Sequence, residues 1–504
     1  MELCSNKFAA PASARATRFF KTALLIGLAA MGATVAAHAE DSRLGPPLTL
    51  NEAGLLESAS TSGFHTGVTN GFFTSFGTNG RSCATCHVEA EAWALTPRHA
   101  QLLPHNDPLF APVDGSDCPP TSNRQGPNRA NSSMMLKYAV LRIEMAVPAT
   151  ANFSLASATN PGRCVIPPGS PAIAGNLFLF RRPLPATNLQ LLTAVMWDGR
   201  ETLEKITTQA GEASTAPLLF DLDDQANAAT TGHAQGASIA GTRAQQDIVA
   251  FEKGLSTAQV VLVPRTGVAL LSVGADGGAY YLQNAVTPAF YIGINDPLNP
   301  PFTNTVFTIY SGWEPGSLEY RRLSPAQQAI GRGEAIFNKT TFVVHDVAGL
   351  NSVPSDPLYN PADPLAGQDV VAGCGLCHNS PNVGNHSTAL AINIGVTMAH
   401  PVNNDGSANK ELDLADLPVY TLANASTGAT VKVTDPGKAL ISGNWTDIGK
   451  TKGPILRGLA ARAPYFHNGS AKDLETVVSF YNERFDIGLT RQQQSDLVTF
   501  LEAL

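Results

Sequence analysis

Past its first forty residues, this 504-residue chain has no stretch that approaches the roughly 20 apolar residues a membrane-spanning helix needs, so no membrane span is expected. A positive excess is missing too: 33 Lys and Arg stand against 41 Asp and Glu, a formal net charge of −8. That balance argues against nucleic acid as a partner and favours a basic protein. Methionine is absent after Met398, which removes thioether sulfur from any site built by the last part of the chain.

What is present begins with an export signal. Lys7, Arg15, Arg18 and Lys21 precede an apolar stretch from Thr22 to Ala37, and Ala37-His38-Ala39 is a cleavage site of the A-x-A kind. Residues 1–39 are therefore read as a signal peptide, the mature chain as beginning at Glu40, and the location as the periplasm. Removing a leader with four basic residues and one acidic residue takes the charge to about −11. The mature length of about 465 residues exceeds one ordinary core and predicts two or three domains.

Four of the seven cysteines lie in two pentads, Cys83-Ala84-Thr85-Cys86-His87 and Cys374-Gly375-Leu376-Cys377-His378. At this spacing two thiols reach the two vinyl groups of one porphyrin while the adjoining histidine ligates its iron. A zinc half-site or a redox dithiol needs no histidine directly after the second cysteine, and both suit an exported chain less well. Two covalently bound haem c groups are expected, one on Cys83, Cys86 and His87 and one on Cys374, Cys377 and His378. Cys4 leaves with the leader. Cys118 and Cys164 remain as a disulfide pair, worth on the order of 4 kcal/mol in the chain-entropy description, with two separate buried thiols as the alternative.

Between the pentads the composition changes. Thr242 to Gly254 reads as a helix. Gly267 to Val273 and Ala279 to Leu282 flank a glycine-rich turn and read as a β-hairpin. Residues 255–318 are taken as a β-containing insertion, serving as a cover, a docking surface or a plain connector. Helices are expected from Ser324 with Pro325 and Gln327, from Ser470, and from Thr490 with Gln493.

Val195-Met196-Trp197-Asp198-Gly199-Arg200, Leu456-Arg457 and Ala463-Pro464-Tyr465-Phe466-His467-Asn468-Gly469, in this order, resemble the bacterial dihaem cytochrome c peroxidase and MauG superfamily. The resemblance runs from about residue 65 to the C-terminus, with the insertion poorly covered. It implies a mainly α fold: two cytochrome c-like haem domains, residues 45–240 (peroxidatic) and 319–504 (electron-transferring), with the β-containing insertion 255–318 between them. It also implies a peroxidase that uses hydrogen peroxide to oxidise a small periplasmic redox protein, a cytochrome c or a cupredoxin, or residues of a protein substrate. High-valent haem iron and electron transfer between the two haems would carry the reaction, and a homodimer is common in the family. A dihaem oxygenase resembling the rubber oxygenases and a plain electron-transfer cytochrome are the other readings.

By the same resemblance His87 is the proximal ligand of the peroxide-binding haem and His378 that of a six-coordinate relay. Trp197 falls between the haems, a core aromatic being the alternative. Tyr481 falls at the sixth-ligand position of the second haem, where a phenolate favours oxidised iron; Met398 and His400 are the alternatives. Gln209 matches a distal glutamine, but Ala216-Pro217-Leu218-Leu219-Phe220 stands where the family has a glutamate. Glu212, Asp221, Asp224 and His233 are the nearby candidates for acid–base work, and His233 is preferred because an imidazole titrates near neutrality. His99 or His105 could cap the first iron. A calcium ion between the domains would use the carbonyls of Arg462 and Pro464 and the side chain of Asn188.

Overall fold

A computed structural model describes residues 48–61, 70–120, 125–159, 176–202 and 216–504. The leader, Cys164, Gln209 and Glu212 lie outside the described residues, while Cys118 is disulfide-bonded. No helix among the described residues is long and apolar enough to cross a membrane.

Helix starts follow local capping chemistry. Pro325–Lys339 and Arg491–Ala503 each open on a capping box, Ser324 with Gln327 and Thr490 with Gln493, and Thr242 caps Arg243–Gly254. Leu474–Arg484 starts later than Ser470, because the Asp473 carboxylate accepts from the Thr476 amide at 2.8 Å and so sets the first turn. The helices Pro325–Lys339 and Arg491–Ala503 cross in backbone contact: a Cβ on Gly333 would stand 2.2 Å from the Asp496 carbonyl. Phe337, Leu497, Phe500 and Leu501 fill the core around that crossing, and Arg332 forks onto Asp496 through Nε and Nη2, each at 2.8 Å.

Strand is more extensive than the mainly α expectation, with five small sheets among the described residues. The reason is long-range pairing. Gly54–Ser60 pairs with Leu255–Leu262, so the segment that begins at residue 255 shares a sheet with the start of the described chain. Phe153–Thr159 likewise extends the sheet of Val419–Asn424. The expected hairpin around Gly274 to Gly278 does not form. Ala269–Leu270 pairs back onto Val261–Leu262, and Ala279–Tyr281 opens a helical segment instead. There the Glu57 carboxylate accepts from the amides of Ala279 and Tyr280, at 2.6 and 3.2 Å, supplying a cap from a strand far away in sequence.

Candidate active site

Both pentads fold the same way. Cys83–Thr85 and Cys374–Leu376 are single tight turns in which the histidine amide returns to the first cysteine carbonyl, at 3.0 Å for His87 and 2.9 Å for His378. Each histidine donates Nδ1–H to a carbonyl, His87 to Trp93 at 3.1 Å and His378 to Gly384 at 2.7 Å. This fixes the tautomer and leaves Nε2 for a metal. Burial pulls the His87 imidazole down to about 4, so it stays neutral as a ligand must. All four thiols are free, and burial pushes Cys86 up to about 11 and Cys374 and Cys377 to about 12. A redox dithiol needs the opposite shift. No group of three potential metal-ligating His, Cys, Asp or Glu occurs among the described residues, which disfavours zinc.

Each pentad borders its own cavity, of about 180 Å³ for the first and about 190 Å³ for the second. The helix Ala216–Gly232 walls the first one with Leu222, Gln225, Ala226, Ala229 and Thr230, and the stripe ends on His233 just beyond the helix. Positions three and four apart share one helix face, so six residues spaced in this way present one surface to the cavity. His233 Nδ1 bonds the Asp114 carboxylate, which also pairs with Arg81. Burial alone would raise the Asp114 carboxyl, but Arg81 and His233 hold it below the usual carboxylate range. His233 is thus an oriented imidazole on a cavity wall. His99 and His105 do not reach the cavity: His99 lies 3.8 Å from Glu91 and His105 Nε2 is 2.9 Å from Arg129. Asp221 and Asp224 do not line it either.

In the second cavity Tyr481 and His378 have ring centroids 6.3 Å apart, and Tyr481 packs against Phe485. Burial pushes the Tyr481 phenol above its ordinary range, a cost that an iron bond would offset. Met398 takes the Asn393 amide at 3.3 Å in a separate core, and neither it nor His400 lines this cavity. Tyr481→Phe is expected to change the optical spectrum of haem bound at this pentad, read by absorption and magnetic circular dichroism. An unaltered spectrum removes Tyr481 as a ligand.

One wall serves both cavities: Arg182, Pro183, Pro185, Trp197, Lys452, Pro454 and Arg462 line each. Trp197 donates Nε1–H to the Arg182 carbonyl at 2.9 Å, and its ring lies 6.3 Å from that of His467. Arg182, Lys452, Arg457 and Arg462 are buried with no carboxylate within 4 Å among the described residues. Nε of each of these arginines, and Nη2 of Arg457, finds no acceptor. Burial pulls Lys452 down to about 7, and its ammonium donates to the Ala194 carbonyl at 2.7 Å. Buried cations require anions, and a haem carries two propionates. The residues present fit covalently held haem in both cavities. Sequence reasoning missed Arg182 and Lys452, because nothing in their local sequence marks them as facing a cavity.

Calcium fits poorly. The Asn188 amide is closed onto Thr257, accepting from its N–H at 2.9 Å and donating to its carbonyl at 3.0 Å. The Arg462 carbonyl accepts from Arg182 Nη1 at 2.8 Å. A calcium ion about 2.4 Å from that oxygen would stand within about 5 Å of the guanidinium. The repulsion is roughly 7 kcal/mol at an effective dielectric of about 20.

No family model matches the chain. A cytochrome-c peroxidase of Denitromonas iodatirespirans is 33% identical over 153 residues, covering 26% of this chain and 37% of the relative. A second from the same organism is 35% identical over 139 residues, covering 26% and 36%. A cytochrome-c peroxidase of Pseudomonas sp. strain SCT is 32% identical over 144 residues, covering 26% and 36%. The matches thus span little more than a third of these relatives' length. A crystal structure of a MauG-like protein associated with microbial copper homeostasis aligns over 93% of this chain and 95% of its own, at 14% identity and a TM-score of 0.33. That likeness is too weak to fix the fold.

Proposed function

We propose that this chain, which matches two cytochrome-c peroxidases at 33% and 35% identity over about a quarter of its length, belongs with the bacterial dihaem cytochrome c peroxidase and MauG family and is a periplasmic dihaem peroxidase. Hydrogen peroxide is its oxidant, reduced to two waters with two electrons and two protons. The electrons come from a small redox protein, a cytochrome c or a cupredoxin, or from residues of a protein substrate. The observation that carries this reading is a carboxylate-oriented imidazole, His233, on the wall of the first pentad's cavity.

Cys83, Cys86 and His87 would hold one haem and Cys374, Cys377, His378 and Tyr481 the other. Bound there, the iron supplies the redox chemistry. The protein's own part is protons, charge and exclusion of water. With Nδ1 committed to Asp114, His233 turns Nε2 to the cavity, where it takes a proton from one peroxide oxygen and returns it to the other. Gln225 and Thr230 border the same space and can hydrogen-bond the ligand. Trp197, in the shared wall, is the conduit between the cavities, held in place by its bond to Arg182. The mature chain, at about −11, attracts a basic electron donor.

The test is to count the attached haems by mass spectrometry and then mix the protein with stoichiometric hydrogen peroxide. Two added macrocycles, a high-spin ferric signal that vanishes within the mixing time and a near-infrared charge-resonance band are expected. Two low-spin haems inert to peroxide would leave only electron transfer.

A further inference from the structure

Arg182 stands where the two halves meet. Its amide donates to the His467 carbonyl at 2.7 Å and its carbonyl accepts from Trp197 at 2.9 Å, so its backbone is tied to residues that line the second cavity. Its guanidinium reaches in two directions. Nη2 donates to the Leu95 carbonyl at 2.6 Å, two residues past Trp93, whose carbonyl orients His87. Nη1 donates to the Arg462 carbonyl at 2.8 Å, in the segment that carries Tyr465, Phe466 and His467 into the second cavity.

The side chain is buried, 7% exposed, and its third nitrogen, Nε, has no acceptor among the described residues. The charged and titratable groups that face it are Arg462, Tyr465 and Glu91, none within ion-pair distance. One fixed positive charge therefore joins carbonyls from the two haem-binding segments in the wall that both cavities share. Planar, permanently charged and able to donate in several directions, a guanidinium can do what a carbonyl-bound divalent ion does between two segments.

We infer that Arg182 is the built-in cation that couples the two haem-binding halves, so that no calcium ion is used there. The inference stands on contacts within the chain and does not depend on the peroxidase reading. A metal ion on the Arg462 carbonyl would have to displace this contact, and the Asn188 amide turns to Thr257 rather than to the wall.

The experiment uses the haem-loaded protein purified without chelator. Elemental analysis is expected to find no stoichiometric calcium. Dialysis against EGTA should leave the optical spectrum, the melting temperature and both haem reduction potentials unchanged. Arg182→Gln, which removes the charge but keeps a hydrogen-bonding amide, should lower the melting temperature by several degrees and move both reduction potentials to lower values. Arg182→Lys, which keeps the charge but not the fork, should hold the potentials closer to those of the parent. One calcium per chain, or any change on chelation in the parent protein, overturns the inference even if the variants fail to fold. A folded Arg182→Gln protein with unmoved potentials overturns it as well.

Discussion

Replacing Arg181 by leucine is expected to destabilise the protein by about 3–5 kcal/mol, the cost of breaking a buried ion pair from one side. Arg181 ends the strand Asn176–Arg181 and forks onto Asp435, at 2.7 Å from Nε and 2.8 Å from Nη2, while Nη1 pairs with Asp198. All three residues are no more than 3% exposed, so the variant leaves the buried Asp435 carboxylate without its guanidinium and Asp198 with the longer contact to Arg200 at 3.2 Å. Set against a total of roughly 5–15 kcal/mol, that loss leaves a marginal fold. Urea unfolding of the two proteins measures it. A difference below about 1 kcal/mol would show that water or rearrangement replaces the guanidinium.

The same triad sets a pH dependence. Burial would raise Asp198 and Asp435, but Arg181 holds both below the usual carboxylate range. Carboxyls depressed in the folded state stabilise it fully above their unfolded value, near 3.9, and lose that contribution as pH falls through the folded value. The parent should therefore begin to unfold in acid below about pH 4. In Arg181→Leu, burial acts unopposed by Arg181, so protonation relieves part of the penalty and the gap between the proteins narrows as pH falls.

His233→Ala is expected to lower peroxide-driven turnover by about 10²–10⁴-fold, the range for loss of a positioned acid–base group. Haem content and stability should change little, because the side chain is 37% exposed and leaves no large void. The comparison is made on kcat/KM for peroxide with a saturating reductant, alongside the haem count by pyridine haemochromogen. Full activity with intact haem would remove His233 from proton transfer.

Some of these residues are legible from local sequence alone. The pentads announce haem because two thioethers and an adjoining ligand impose a spacing that no distant contact can alter. Capping boxes at Ser324 and Thr490 are readable for the same reason, since donor and acceptor lie three residues apart. The hairpin misreading around Gly274 has the opposite origin. The helical segment that opens at Ala279 is capped by Glu57, 222 residues away along the chain.

What the chain determines by itself is the pentad spacing that suits haem attachment and the capped starts of helices such as those after Ser324 and Thr490. Only tertiary structure decides that Asp114 meets His233, that Arg181 reaches Asp435 across 254 residues, and that Arg182 joins the Leu95 and Arg462 carbonyls in the wall between the cavities. The physical reason is range. Covalent spacing and capping act within a turn or two, whereas a buried charge finds its counter-ion or carbonyl only when the whole chain has closed around it.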